Sequence, residues 1–245
     1  MAALSLPAVP RLLAVLIACF ALVIAGCGDS KDKQQTATST PAAAATETAT
    51  PAAANEFLPQ GCENVEKPAP KQVDKIKKPT EKLSKSKTYV ATISTTCGDV
   101  EVTLDAKHSP ITGGSFKYLA DKKFFDGTTF HRIVPDFVIQ GGDPAGDGSG
   151  GPGYSVEEAP DTNLKYTKGI VAMAKTGEEP AGTSGSQFFI VTGAQAEQLT
   201  PDYALLGKVT KGMDVADKIG GIQADQNTGQ PAAQVIIKSV TVKES

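Results

Sequence analysis

From Thr88 onward, apolar residues recur at every second position in short runs, and Gly or Pro ends most of them within a few residues. That pattern restricts the chain to short strands. Tyr89, Ala91 and Ile93 alternate with polar residues, and Cys97-Gly98-Asp99 then turns the chain into Val100, Val102 and Leu104. This reads as a hairpin. In the stretch FHRIVPDFVIQGGD (130–143), Phe130, Arg132 and Val134, then Phe137 and Ile139, hold alternate positions on either side of Pro135-Asp136. Two short strands joined at a proline turn are expected there. Further strands read at 169–174, 187–192, 204–209 and 235–242. Helical spacing is confined to 109–123, with Phe116, Leu119 and Ala120 on one side and Thr112 as the N-cap, and to 213–219. Gly113-Gly114 weaken the first turn of the former. Many short strands, two helices and no βαβ rhythm predict a mainly β fold: a closed, mostly antiparallel barrel capped by helices.

The N-terminal part has a different character. Arg11 precedes an apolar run, 12–25, of signal-sequence length and too short for a comfortable membrane span. It ends in Ile24-Ala25-Gly26-Cys27, which resembles the bacterial lipobox, where the cysteine is lipidated and becomes the mature N-terminus. Leu16-Ile17-Ala18-Cys19 matches less well, and a plain secretory signal is the alternative. The expected organisation is a signal peptide over 1–26, a lipid-anchored tether over 27–87 and a folded domain over 88–245. Residues 28–54 are rich in Ala, Thr, Ser, Gln and Pro and bury too little to offset ordering entropy. Residues 55–87 carry many lysines, and Pro59, Pro68, Pro70 and Pro79 argue against a helix. The lysines suit anionic lipid or wall polymer, or simply a solvated linker. The expected location is the extracytoplasmic face of the cell membrane, with secretion as the alternative. Cys19 leaves with the signal and Cys27 takes lipid. Cys62 and Cys97 remain in an oxidising compartment, either as a disulfide or as two free thiols.

Four motifs carry a family likeness: FHRIVPDFVIQGGDP, GIVAMA (169–174), GSQFFIVT (185–192) and LLGKVTKGMDV (205–215). In this order and spacing they resemble the cyclophilin family of peptidyl-prolyl isomerases, over about 88–245. The resemblance implies an eight-stranded antiparallel barrel capped by two helices. It puts the family's catalytic arginine on Arg132, with His131 beside it in a supporting place. It puts the substrate-proline pocket on Phe137, Met173, Phe189 and Leu199, and peptide-backbone contacts on Gln140, Gln187 and the backbone at Lys175. Tyr203 stands where many eukaryotic members have histidine. Gln198 replaces a tryptophan associated with cyclosporin binding, and the loop 176–184 is slightly longer than usual.

These residue types suit rotation about an X–Pro bond. A guanidinium and a carboxamide from neighbouring strand ends, with aromatics between them, make a half-apolar pocket. At the twisted transition state amide resonance is lost and the imide nitrogen gains a lone pair, which a permanently charged donor stabilises. Such chemistry needs no nucleophile, metal or cofactor, and none is expected. Gly148 to Gly153 formally matches G-x-G-x-x-G but opens no helix. Asp143 and Asp147 lack calcium-loop spacing, and His108 and His131 with the cysteines lack zinc spacing. The net charge of −3 says little about partners, and the absence of a basic aromatic surface pattern argues against nucleic acid. The expected partners are proline-containing segments of secreted or envelope proteins, met by a monomer. A tethered binding module or chaperone with little turnover is the competing function.

Overall fold

The computed structural model describes residues 56–245. The apolar run, Cys27 and the segment 28–54 lie outside the described residues. Ten strands and two α-helices form the fold: β1 (Tyr89–Thr95), β2 (Gly98–Leu104), α1 (Pro110–Asp121), β3 (Arg132–Val134), β4 (Val138–Gly141), β5 (Val156–Glu157), β6 (Ile170–Met173), β7 (Thr183–Ser184), β8 (Phe188–Val191), β9 (Leu205–Lys211), α2 (Met213–Gly220) and β10 (Ile237–Glu244). A 3-10 turn covers Ala194–Gln198. Eight strands make one antiparallel sheet in the order β10-β1-β2-β9-β6-β8-β4-β3, while β5 and β7 pair separately.

The expected closed barrel does not form. The sheet curls but stays open, with β10 and β3 at its two edges. The chain just before each edge strand approaches the other: Thr129 bridges Ile236, and the Phe130 N–H donates to the Val235 carbonyl at 3.1 Å. Those segments do not extend into a ladder between β3 and β10. The hairpin, the proline turn and both helices stand where the periodicity puts them. Thr112 is not the N-cap of α1, however. Ser109 holds that position, Pro110 opens the helix, and Thr112 is buried within it. The first free N–H groups are met from a distance, because the Glu158 carboxylate accepts from Ile111 N at 3.2 Å and Thr112 N at 2.7 Å.

The concave face of the sheet and both helices enclose the main core. Ile93, Val102, Phe116, Leu119, Phe125, Phe130, Ile133, Ile139, Phe188 and Ile190 are buried there. Phe116, Phe125, Phe130 and Phe188 contact edge-on or tilted, with centroids 4.8 to 6.1 Å apart. A smaller apolar cluster covers the opposite face of β4, β6 and β8: Val138, Tyr166, Ala172, Phe189, Val191 and Ala196.

Residues 56–87, expected as a solvated tether, lie along the domain instead. Cys62 is disulfide-bonded to Cys97 at the β1–β2 turn. From 63 to 84 the strap has no helix or strand, as its prolines require, yet Val73, Ile76 and Pro79 are half-buried at every third position. A three-residue repeat is that of an extended, proline-rich chain. Leu83 is buried against Gly113 of α1, where a Cβ would collide with it, and its N–H donates to the Pro110 carbonyl at 3.0 Å. The strap's lysines are mostly exposed, so composition alone resembles a linker while the backbone and a few side chains dock.

Candidate active site

Strand register assembles the site. Arg132 on β3 faces Gln140 on β4, Gln140 faces Phe189 on β8, and Phe189 faces Ala172 on β6. Directly opposed residues point to the same side of a sheet, so these four share one face. The next residues along, Ile133, Ile139, Ile190 and Val171, face the main core. A guanidinium, a carboxamide and an aromatic ring therefore stand in a row on the convex surface, over the smaller apolar cluster.

Two segments after β8 complete the wall. At the β3–β4 turn Asp136 has φ of 53°, a left-handed conformation that aspartate tolerates better than most residues. The carbonyl of Phe137 accepts from Thr192 N at 3.0 Å and Gly193 N at 3.2 Å, and the Asp136 carbonyl accepts from Gln195 N at 3.3 Å. The 3-10 turn is thereby pinned to the turn between β3 and β4, which delivers Leu199. Tyr203 is held by the fully buried Tyr166, whose hydroxyl donates to the Tyr203 carbonyl at 2.7 Å and accepts from its N–H at 2.9 Å. Burial pushes the Tyr166 pKa up to about 12, so the hydroxyl keeps its proton for that bond. The rings of Phe189 and Tyr203 meet edge to face at 5.4 Å.

The result is a cavity of about 250 Å³ lined by Arg132, Phe137, Val138, Gln140, Ala174, Lys175, Phe189, Leu199 and Tyr203. Of the residues expected there, Met173 is the exception. It is 1% exposed and packs in the main core, because it lies opposite Phe188, on the inward parity of β6. Val138 and Ala174 take the wall positions. The alternation read from the sequence grouped Phe137 with Ile139, whereas Ile139 turns to the main core and Val138 lines the cavity beside Phe137.

Gln140 and Gln187 meet directly: Gln140 Nε2 donates to Gln187 Oε1 at 3.0 Å. Gln187 Nε2 in turn donates to the Gly148 and Gly150 carbonyls at 2.8 and 3.0 Å. This ties the cavity to a wider groove of about 600 Å³, lined by Gln140, Gly148 to Ser155, Ala174 to Thr176, Glu179 and Gly185 to Gln187. Lys175 separates the two. Its side chain is 5% exposed, and its ammonium donates to the Thr176 and Glu179 carbonyls and lies 3.9 Å from the Asp202 carboxylate. The lysine thus locks the loop after β6 against the Tyr203 segment as well as lining the cavity.

His131 points away from this cavity. Both ring nitrogens are buried and without a hydrogen-bond partner among the described residues. Burial pushes its pKa down, opposed by the Asp143 carboxylate and reinforced by the charge of Arg132. A group so placed cannot be the acid or base of the cavity. Arg132 has a neighbour that its sequence context did not reveal. Gly229, at φ of 74°, donates no Cβ where one would fall 2.8 Å from Arg132 Cγ, and its carbonyl accepts from Ile133 N at 2.8 Å. The turn that presents Gly229 is knotted by Asp225, whose carboxylate accepts from Asn227 N, Thr228 N and Thr228 Oγ1.

Comparison with known proteins gives a consistent set of likenesses. Residues 90–242 match the family model for cyclophilin type peptidyl-prolyl cis-trans isomerase/CLD. The chain is 40% identical over 157 residues to peptidyl-prolyl cis-trans isomerase-like 1 of Neurospora crassa, spanning 62% of this chain and 93% of that protein. It is 36% identical over 171 residues to peptidyl-prolyl cis-trans isomerase B of Streptomyces anulatus, spanning 62% and 95%. A crystal structure of a Cryptosporidium parvum cyclophilin type peptidyl-prolyl cis-trans isomerase in the presence of the dipeptide Ala-Pro matches with a TM-score of 0.58 and 31% identity, over 63% of this chain and 98% of that one. The strap lies outside the matched family region.

The buried imidazole has a consequence for stability. The unfolded chain protonates His131 near pH 6.5, whereas the folded chain does so only at lower pH. The unfolded state therefore binds the proton more readily, and the stability present above the unfolded value is lost as pH falls toward the folded one. Urea unfolding at pH 7 and pH 5 should show a smaller loss in His131→Gln than in wild type. Equal losses would contradict the burial argument.

Proposed function

The chain belongs to the cyclophilin-type peptidyl-prolyl cis-trans isomerases, and from that membership we propose that its Arg132 catalyses X–Pro rotation in extracytoplasmic proteins. The observation that carries this reading is the cross-strand pair of Arg132 and Gln140 at the edge of an apolar cavity.

The chemistry follows from the bond. Planar amide resonance imposes a barrier of about 18–20 kcal/mol. Rotation abolishes that resonance and leaves a lone pair on the imide nitrogen. The Arg132 guanidinium, always charged, binds that lone pair in the twisted state and has little to offer the planar nitrogen, so it acts differentially. Phe137, Phe189, Leu199 and Tyr203 hold the proline ring and exclude water, which strengthens the donor's field. Gln140, oriented by Gln187, steadies the backbone on one side while the other turns. No proton changes place, in keeping with a histidine turned away from the cavity.

The extracytoplasmic setting rests on separate grounds. The apolar run before Cys27 reads as a lipoprotein signal. The Cys62–Cys97 disulfide suits an oxidising compartment. The role that fits is catalysis of a slow folding step in exported proteins, from a lipid anchor on the outer face of the membrane.

Three outcomes are expected. In a protease-coupled assay on a proline peptide, Arg132→Ala should lose roughly two to three orders of magnitude in kcat/KM, the range typical for removing a transition-state donor. Arg132→Lys should recover only part of it, because an ammonium lacks the fixed fork. Wild-type rates in Arg132→Ala would sink the mechanism, and peptide binding without turnover in wild type would favour a binding module. Gly229→Ala should lower kcat about tenfold or more by displacing the Arg132 stem. Gly127 also has positive φ but nothing within 4 Å of its absent Cβ. Gly127→Ala therefore controls for the strain of about 1–2 kcal/mol that both variants carry. If both variants slow equally, strain rather than contact is responsible. Finally, a fatty-acid probe should label the wild-type protein in bacterial cells and fail to label Cys27→Ala; labelling of both would remove the anchor.

A further inference from the structure

The strap outside the family region reaches the substrate groove through its far wall. Residues 144–153, PAGDGSGGPG, include five glycines and form no helix or strand. Such a segment has the greatest backbone entropy to lose and the least side-chain packing with which to offset it. Yet Gly148 to Ser155 line the groove, and the Gly148 and Gly150 carbonyls orient Gln187. Something must hold this loop still.

Three sets of contacts do so. From inside, the buried Asp143 carboxylate accepts from Ala145 N, Asp147 N and Gly148 N at 2.8, 3.0 and 2.6 Å. From the sheet, Gln187 holds the middle. From outside, the strap brackets both ends: Lys71 N donates to the Pro144 carbonyl at 2.8 Å, and Ile76 N donates to the Pro152 carbonyl at 3.4 Å. The strap is itself seated between those two bonds and beyond them. The Lys71 ammonium donates to the Lys123, Phe124 and Asp126 carbonyls at 3.0, 3.0 and 3.1 Å. Val73 and Ile76 pack on the main core. Gly114 of α1 has no Cβ where the strap backbone at Glu81 and Lys82 crosses it.

We propose that residues 67–83 are a positioning brace for the groove loop, and that this chain's N-terminal strap therefore sets how tightly it holds the peptide residues flanking the proline. The link runs from the strap to the carbonyls of Pro144 and Pro152 and through them to Gly148 to Ser155, the wall of the groove that the cavity does not share. Lys71 and Ile76 act through the loop and touch no part of the cavity. The inference rests on the isomerase reading for its substrate, but not for its mechanics.

The test uses the full chain carrying Lys71→Ala and Ile76→Ala together, with exposed Lys77→Ala as control. Two substrates are compared: a short proline peptide that fills only the cavity, and a longer one that reaches the groove. The double variant should raise KM for the long peptide by roughly threefold to tenfold with kcat unchanged, a shift in the range of couplings carried through intervening residues. The short peptide should keep its kcat/KM. Hydrogen exchange in the same samples should quicken by about tenfold at amides 145–151 and 153 and not in β4 or β8. Unchanged exchange in the loop, or a parallel loss of kcat on both peptides, would overturn the brace. If wild type turned over neither peptide, the isomerase reading would fall, and the exchange comparison would still decide whether the strap holds the loop.

Discussion

Successive side chains of a strand point to opposite faces of its sheet, so one strand can serve a core on one side and a site on the other. In β3, β4, β6 and β8 the two-residue alternation does this division. Ile133, Ile139, Ile190 and Val171 close the main core, while Arg132, Gln140, Phe189 and Ala172 stand on the opposite side. Arg132 is thus fixed by the same register that fixes the core. A slip of one residue in any of these pairings would bury the guanidinium and expose an isoleucine. The site's precision is inherited from packing, with Tyr166, the Asp136 turn and Gly229 adding the remaining restraints.

The alternation also explains what a reading of the chain could and could not reach. The hairpin, the proline turn, the strand positions and both helices were visible in short-range periodicity. Arg132, Gln140, Gln187 and Phe189 were visible through the motifs that hold them. The resemblance put Met173 in the pocket, whereas its pairing with Phe188 turns it to the main core. Pairing partners lie far apart in the chain and leave no local trace. Openness of the sheet was hidden for the same reason, since edge strands look like any others in sequence. Gly229 and Tyr166 carried no signal at all: one acts by lacking a side chain beside Arg132, the other by holding a backbone it meets only after folding.

The strap shows a different limit. Its composition is that of a solvated linker, rich in Lys and Pro, and most of its side chains are indeed exposed. What docks it is a disulfide, a few backbone N–H groups, one ammonium and an apolar residue at every third position. None of these shifts bulk composition. A disulfide separated by 35 residues also removes loop-closure entropy from the unfolded chain, by roughly 2–4 kcal/mol. The strap is therefore anchored to the domain upstream of the segment that borders the groove.

The central claim is that one guanidinium, held over an apolar cavity by strand register, meets the proline substrate where it rotates. It is tested most directly by NMR of the full chain with an Ala-Pro-containing peptide. Exchange cross-peaks between the peptide's cis and trans forms that require the protein are expected, accompanied by a shift of the Arg132 Nε–H resonance and of the Phe189 and Tyr203 rings. Exchange that proceeds with the Arg132 resonance unmoved, or shifts confined to other faces of the sheet, would contradict it.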